Sequence, residues 1–324
     1  MRILTFPFHA GYQTQLFKMD HEFIIIDGYA DIWWDKKPFN TPREEQDIQF
    51  NPRPTPDNVT LFPMLDMFDG KEIPKADLLI LPTAEHISWI KDSKIWELPH
   101  INCHATIFPL PWYIKDLEEP IYHTCVTPHK LRDSDYFIPH GHDPNEFYYD
   151  GRPKSGIVHP INRFQEIGNT VTGYEYRYAL RLLPLAVTVG DNPLWEEGEG
   201  KNNTINPNYE AYRDILMAAE MGLQLSPFKA RSFTTAEMML SEVVPITMNE
   251  GNTFSSNMKS FIINGVNGYI VNSAYGFKLA YDKFQRLPNK DKEEMMELAR
   301  LTVIEHQSLD DFHEKWSIAM EDVL

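Results

Sequence analysis

The chain has 324 residues, 42% hydrophobic and 24% charged, enough for about two domains of ~150 residues, each with its own core. Its 47 Asp and Glu against 30 Lys and Arg leave a net charge of −17, which repels polyanions and excludes a general DNA-coating role. Only two cysteines, Cys103 and Cys125, are present, so a disulfide framework is excluded. No apolar run approaches the ~18 residues of a membrane span, and a cytoplasmic protein is the expectation.

Residues 1–8 form an apolar run that stops at His9-Ala10-Gly11; a helix is expected over 14–19 and a second strand over 23–27. Strand, glycine-bearing turn, helix and strand open a βαβ unit, and wholly apolar strands indicate a parallel sheet covered on both faces. Residues 35–63, rich in Pro, Asn and charge, read as a long loop or insertion. Further strands are expected at 76–81, 101–104, near 122 and at 135–139. Residues 140–155, with two glycines and two prolines, read as the linker between domains.

The pattern then restarts. Strands are expected at 156–158, 185–189, 243–248 and 267–271, and helices at 174–183, 209–221 and 235–242. The tail is helical, with Met295, Leu298, Leu301 and Thr302 at three- and four-residue spacing. Two α/β domains joined by a linker hold a ligand in the cleft between them as a rule. Gly11, in the first strand-to-helix turn, would border that cleft and let the backbone approach a ligand; a routine glycine turn reads equally well.

The most informative stretch is residues 232–247. Hydroxyl residues before an apolar-periodic run, Ser232-Phe233-Thr234-Thr235, make a helix start whose N–H groups and positive dipole end favour a phosphate. Lys229 and Arg231 add positive charge just upstream, and Glu237 is placed to accept hydrogen bonds from ligand hydroxyls. The same spacing also fits a capped amphipathic helix carrying a solvated acid.

These residues resemble the retaining, nucleotide-sugar-dependent glycosyltransferases of the GT-B architecture. Glu237 to Ile246 is similar to that family's E-x-x-x-x-G-x-[VI]-P-[VI] run, with Glu242 at the glycine. Residues 264–271, NGVNGYIV, resemble its D-G-x-N-G-x-[LI]-V turn. Residues 185–193 resemble the strand and loop that cradle the donor's base, with Gly190 and Asn192 as base contacts. Residues 138–144 resemble I-P-N-G-x-D-P, and residues 99–104 resemble a strand end finishing in histidine, His104.

The resemblance covers about residues 99–324 and implies an α/β fold of two facing Rossmann-like domains. An acceptor domain would span 1–150, a nucleotide-sugar domain 151–308, and a last helix, 309–324, would cross back to the first domain. It implies transfer of a hexosyl or pentosyl group from a nucleoside diphosphate sugar, UDP-sugar foremost, to a hydroxyl, with retention and without a metal or other cofactor. Arg163 and the amides of Ser232, Phe233, Thr234 and Thr235 would stabilise the leaving diphosphate. Glu237 would hold the donor ribose and His104 the transferred sugar. Two departures stand out. Lys229 occupies the place of the family's second glutamate, and Ile167 that of its phosphate-gripping lysine, so Lys229 or Arg231 would supply the missing charge beside Arg163 and the donor.

A glycan or small-molecule hydroxyl ranks ahead of a hydroxymethylated DNA base as acceptor, because the basic clusters of the first half are interleaved with Glu44, Glu45 and Asp47. Two other readings remain. One is a sugar-nucleotide-binding protein without turnover. The other is a zinc-dependent hydrolase built on His100, Cys103, His104, His123, Cys125, His129, His140 and His142. Trp33-Trp34 fits stacking on a sugar or simple packing. No G-x-G-x-x-G follows the first strand, and no P-loop or G-x-S-x-G elbow occurs.

Overall fold

The computed structural model describes residues 1–7, 10–27, 53–68, 71–82, 90, 93–104, 122–125, 136–161, 176–183, 186–190, 203–205, 207–225, 233–249 and 261–324. The chain divides into two compact units, Met1–Gly141 with Leu309–Leu324, and His142–Ser308. Among the described residues no helix is long and apolar enough to cross a membrane.

Unit one holds a parallel sheet in the order β3-β2-β1-β4-β5-β6-β7. Its strands are β1 Arg2–Thr5, β2 Glu22–Asp27, β3 Val59–Pro63, β4 Leu78–Leu81, β5 His100–His104, β6 Tyr122–Cys125 and β7 Tyr136–Phe137. The strand sequences are apolar because crossover helices cover both faces of a parallel sheet. Leu4, Ile24, Leu79 and Leu81 face one such layer, with Met64 of helix α2 (Met64–Phe68), Ile90 and Ile95 packed on it.

Helix α1, Ala10–Leu16, begins earlier than the expected 14–19. The 35–63 loop reading is corrected at its end: β3 pairs in register with β2, Phe23 against Val59 through Asp27 against Pro63. Asn58 pins the strand's entry, its side chain donating to Phe17 O at 2.9 Å and His21 O at 2.8 Å. Four ladder residues before a proline carry little signal alone, and Pro63, lacking an N–H, is tolerated because β3 is an edge strand.

Helix α8, Leu309–Val323, buries Phe312, Trp316, Ala319 and Met320 along one stripe. Trp316 Nε1 donates to the Tyr12 hydroxyl at 3.0 Å, and the Tyr12 ring meets Phe312 edge-on at 5.4 Å. His313 Nε2 donates to Gln15 O at 2.8 Å, and the Tyr136 hydroxyl donates to Asp322 at 2.5 Å. Burial raises the Tyr12 phenol pKa well above its ordinary value, so the hydroxyl stays protonated.

Unit two repeats the design with the parallel order β10-β9-β8-β11-β12-β13. Its strands are β8 Ile157–Pro160, β9 Ala186–Val189, β10 Asn203–Ile205, β11 Met221–Gln224, β12 Val244–Met248 and β13 Tyr269–Val271. Both sheets therefore follow the Rossmann strand order, and the α/β expectation of two Rossmann-like domains holds. Its described helices are α3 Tyr178–Leu182, α4 Tyr209–Ala218, α5 Phe233–Leu240, α6 Ala274–Gln285 and α7 Asn289–His306.

The expected helix over 209–221 is corrected. It stops at Ala218, and Met221 opens the fully buried strand β11. The backbone N–H groups of Glu220 and Met221 turn instead to Gly156 O. A Cβ on Gly222 would lie 2.1 Å from Met238 Sδ, so a larger residue there would push the Met238 side chain of α5 out of its place against β11. Helix α6 was not legible in the sequence; Ser273 caps it by accepting from Gly276 N at 3.1 Å.

The 264–268 turn is held by its asparagines. Asn267 accepts from Ile263 N at 2.7 Å and donates to Phe261 O at 3.0 Å and to Thr302 on α7 at 2.8 Å. Gly265 takes φ 81°, which suits a residue without Cβ.

Around the end of α5, Glu242 N bonds Met239 O and Val243 N bonds Met238 O, both at 2.9 Å, a Schellman closure. The residue in the left-handed position is Glu242, φ 57°, where glycine is usual. Two cations brace this end. Lys154 Nζ donates to Met217 O, Ala219 O and Ser241 O at 3.1, 3.2 and 2.7 Å. Arg300 donates to Leu240 O, to Phe147 O at 3.1 Å and to Pro144 O at 3.0 Å. Burial raises the Glu242 carboxyl pKa, while Lys154 and Arg300 oppose that rise.

Gly141 has no room for a side chain, since a Cβ would fall 2.4 Å from Phe312 Cβ. Gly141→Ala is expected to destabilise unit one by about 1–3 kcal/mol, read as a lowered denaturant midpoint at unchanged slope. Burial pushes the Lys154 pKa down to about 8. The unfolded chain, with its lysine pKa at ~10.4, then binds more protons between these values, so this group's contribution to stability rises with pH across the window. The stability difference between wild type and Lys154→Met should shift toward wild type by about 2 kcal/mol from pH 7 to pH 10. A flat difference would show that the three carbonyls hold the ammonium at its ordinary pKa.

Candidate functional site

In an open parallel sheet, ligands sit beyond the carboxyl ends of the strands where the strand order reverses. In unit two that point lies between β8 and β11, and the helix that follows β11 in the chain is α5. Nearly every side chain of α5 is buried, Phe233, Thr235, Ala236 and Glu237 included, with α7 packed along it. A helix apolar all round lies inside the unit, and its first-turn N–H groups have no intrahelical acceptor.

Glu237 is a buried carboxylate, 5% exposed, rather than a solvated acid. Its Oε2 accepts a hydrogen bond of 2.8 Å from the Tyr212 hydroxyl on α4. A buried carboxylate needs such donors, because desolvation without them costs several kcal/mol or forces protonation. Thr235 Oγ1 is also sealed from solvent and has no hydrogen-bond partner among the described residues, whereas Thr234 is half-buried. The His142 ring lies 4.9 Å from the Phe233 ring, and His142 N donates to Gln307 O at 3.0 Å, which ties the start of α5 to the end of α7.

Gly190 directly follows β9, buried, with φ 149°. It stands at the carboxyl end of its strand, one strand from the switch point. Arg163, Asn192, Lys229, Arg231 and Ser232 lie outside the described residues. The structure thus groups Glu237, Phe233, Thr234 and Thr235 on one buried helix and places Gly190 on the same sheet's carboxyl edge.

Gly11 and His104 belong to unit one. Gly11 lies inside the first turn of α1, not in the preceding loop. Its neighbour Tyr12 accepts from Cys103 Sγ at 3.7 Å, and His104 follows as the last residue of β5. Both therefore stand at the carboxyl edge of that sheet, although the His104 side chain is outside the described set. Among the described residues no group of three or more His, Cys, Asp or Glu is placed to hold a metal; His129 and the side chains of His104, His123 and Cys125 lie outside it.

Tyr212 is the site residue that sequence reasoning missed. The signal was Tyr209 and Tyr212 three residues apart on a helix, a spacing that reads as ordinary core packing. Only the pairing of α4 with α5 turns it into a carboxylate partner.

The chain matches no known sequence-family profile and no curated protein. Its fold is similar to that of the sucrose-phosphate synthase of Thermosynechococcus elongatus, with TM-score 0.67 and 11% identity over 100% of this chain and 99% of that one. Anabaena HepE in complex with UDP and glucose gives TM-score 0.68 at 12% identity, over 99% and 100% of the two chains. AviGT4, a glycosyltransferase involved in avilamycin A biosynthesis, gives TM-score 0.62 at 12% identity, over 100% and 98%. With both sheets in Rossmann order and the likeness running over the whole chain, the fold is that of the GT-B glycosyltransferases.

Proposed function

We propose that the chain is a glycosyltransferase that moves a sugar from a nucleoside diphosphate sugar, a UDP-sugar foremost, to a hydroxyl. The observation that carries this reading is the buried Glu237 carboxylate, held by Tyr212 on the helix that follows the switch-point strand. Solved neighbours support the choice of donor, HepE having been determined with UDP-glucose.

In this reading Glu237 accepts hydrogen bonds from the donor's ribose hydroxyls, and the Tyr212 hydroxyl holds it in position. The first-turn amides of α5 face the diphosphate, whose charge grows as the bond to the sugar breaks. Arg163 adds a fixed guanidinium, with Lys229 or Arg231 making up the cation missing at Ile167. His104 contacts the transferred sugar, Gly190 and Asn192 border the base, and Gly11 lets the backbone approach the ligand. The sugar is transferred with retention, the donor is a substrate, and no metal or cofactor takes part. The acceptor is a glycan or small-molecule hydroxyl, ahead of a modified DNA base.

UDP should raise the melting temperature, since a ligand at 100 times its Kd adds about 2.7 kcal/mol. No shift with UDP, GDP, ADP or TDP at millimolar concentration would remove the donor site. Binding without donor hydrolysis or transfer would instead favour a sugar-nucleotide-binding protein. Glu237→Gln is expected to lower kcat/KM by about ten- to a thousandfold, as the loss of charge-assisted hydrogen bonds worth about 1.5–3 kcal/mol each requires. Tyr212→Phe, which keeps the ring, should cost about tenfold or less. Wild-type kinetics in both variants would make Glu237 a structural group.

A further inference from the structure

Arg213 lies in the second turn of α4, next to Tyr212. Its guanidinium carbon is 5.7 Å from the Tyr148 ring centroid and 5.9 Å from that of Tyr209. Arg213 Nε is closed off from solvent and has no hydrogen-bond partner among the described residues. The surrounding acids are engaged elsewhere. Glu146 accepts from the Tyr209 hydroxyl. Asp214 pairs with Arg152 at 3.3 Å, and Arg152 also holds Asp150 at 2.6 Å. Among the described residues no carboxylate forms an ion pair with Arg213.

A guanidinium carries five N–H donors in one plane and no acceptor. Two tyrosine rings lie beside it, and a guanidinium's paired donors suit two oxygens of a phosphate or carboxylate at once. Helix α4 joins two parallel strands, so its first turns lie at the carboxyl edge of the sheet. Arg213 itself is half-buried, and Tyr148 beside it is 39% exposed.

We infer that Arg213, flanked by Tyr148 and Tyr209, is an oxyanion subsite that takes a phosphate group, distinct from the donor site proposed at Glu237. Two sources carry that chemistry, a phosphorylated sugar and free inorganic phosphate. The subsite stands on the Arg213 geometry and does not depend on the donor reading.

Calorimetric titrations of the full chain with inorganic phosphate, glucose 6-phosphate and glucose, each with and without saturating UDP, test it. Saturable binding of both phosphate probes and none of glucose is expected in both conditions. Arg213→Gln should weaken both by about tenfold or more, and Arg213→Lys, which keeps the charge and loses the fork, should fall between. Tyr148→Leu, an exposed position, should weaken them several-fold, which keeps the test usable should Arg213→Gln fail to fold. Glucose 6-phosphate binding tighter than phosphate supports the sugar phosphate as ligand, and equal affinities support free phosphate. Unchanged affinity in Arg213→Gln or Arg213→Lys, or no saturable phosphate binding by wild type, overturns the subsite. Failure of UDP to bind would sink the donor site and leave this result standing.

Discussion

Parallel strand pairing sets the terms for everything else in this protein. A parallel strand reaches its neighbour only through a crossover, and the crossover helices cover both faces of the sheet. The strands are buried in consequence, and the only backbone free to vary lies in the loops at their ends. All carboxyl ends of a sheet fall on one edge, where helix N-termini with their unsatisfied N–H groups also collect. Residues as far apart in the chain as Gly190 and Thr235 share an edge for this reason, and Gly11 shares one with His104.

Helix α5 shows what burial demands. Buried on nearly every side, it has little water to satisfy its polar atoms, so its carboxyl end needs protein partners. Lys154 and Arg300 supply donors around its carboxyl end, and Glu242 accepts a left-handed backbone there without glycine's freedom. Glu242 also places a carboxylate near both cations, whose attraction offsets part of the cost of burying it. The helix's one buried acid, Glu237, is matched by Tyr212. A buried carboxyl group without a hydrogen-bond partner is destabilising, so the bond from Tyr212 is a condition of burying it.

The last helix shows the same economy in unit one. Its stripe of Phe312 and Trp316 converges on Tyr12, whose hydroxyl receives hydrogen bonds from both Trp316 and Cys103. Gly141 permits the close approach of Phe312. The chain's two ends are therefore packed into one core, although 304 positions separate Tyr12 from Trp316.

The apolar strand runs, their spacing by helical segments and the asparagine-glycine turn at 264–268 were enough to indicate two parallel α/β units, because binary patterning acts locally and shows in the residues themselves. Where the local pattern was ambiguous, tertiary contacts decided. Val59–Pro63 is a strand because β2 offers it a ladder and Asn58 anchors its entry. Met221 leaves the helix because Gly156 O takes its N–H and Ile157 and Val244 flank it in the sheet. Glu237 could be named from its place in a motif, but its burial and its bond to Tyr212 could not, since they depend on two helices 25 positions apart meeting on one sheet. Pattern reveals which face of an element is apolar; which polar group will stand opposite is settled only when the elements pack.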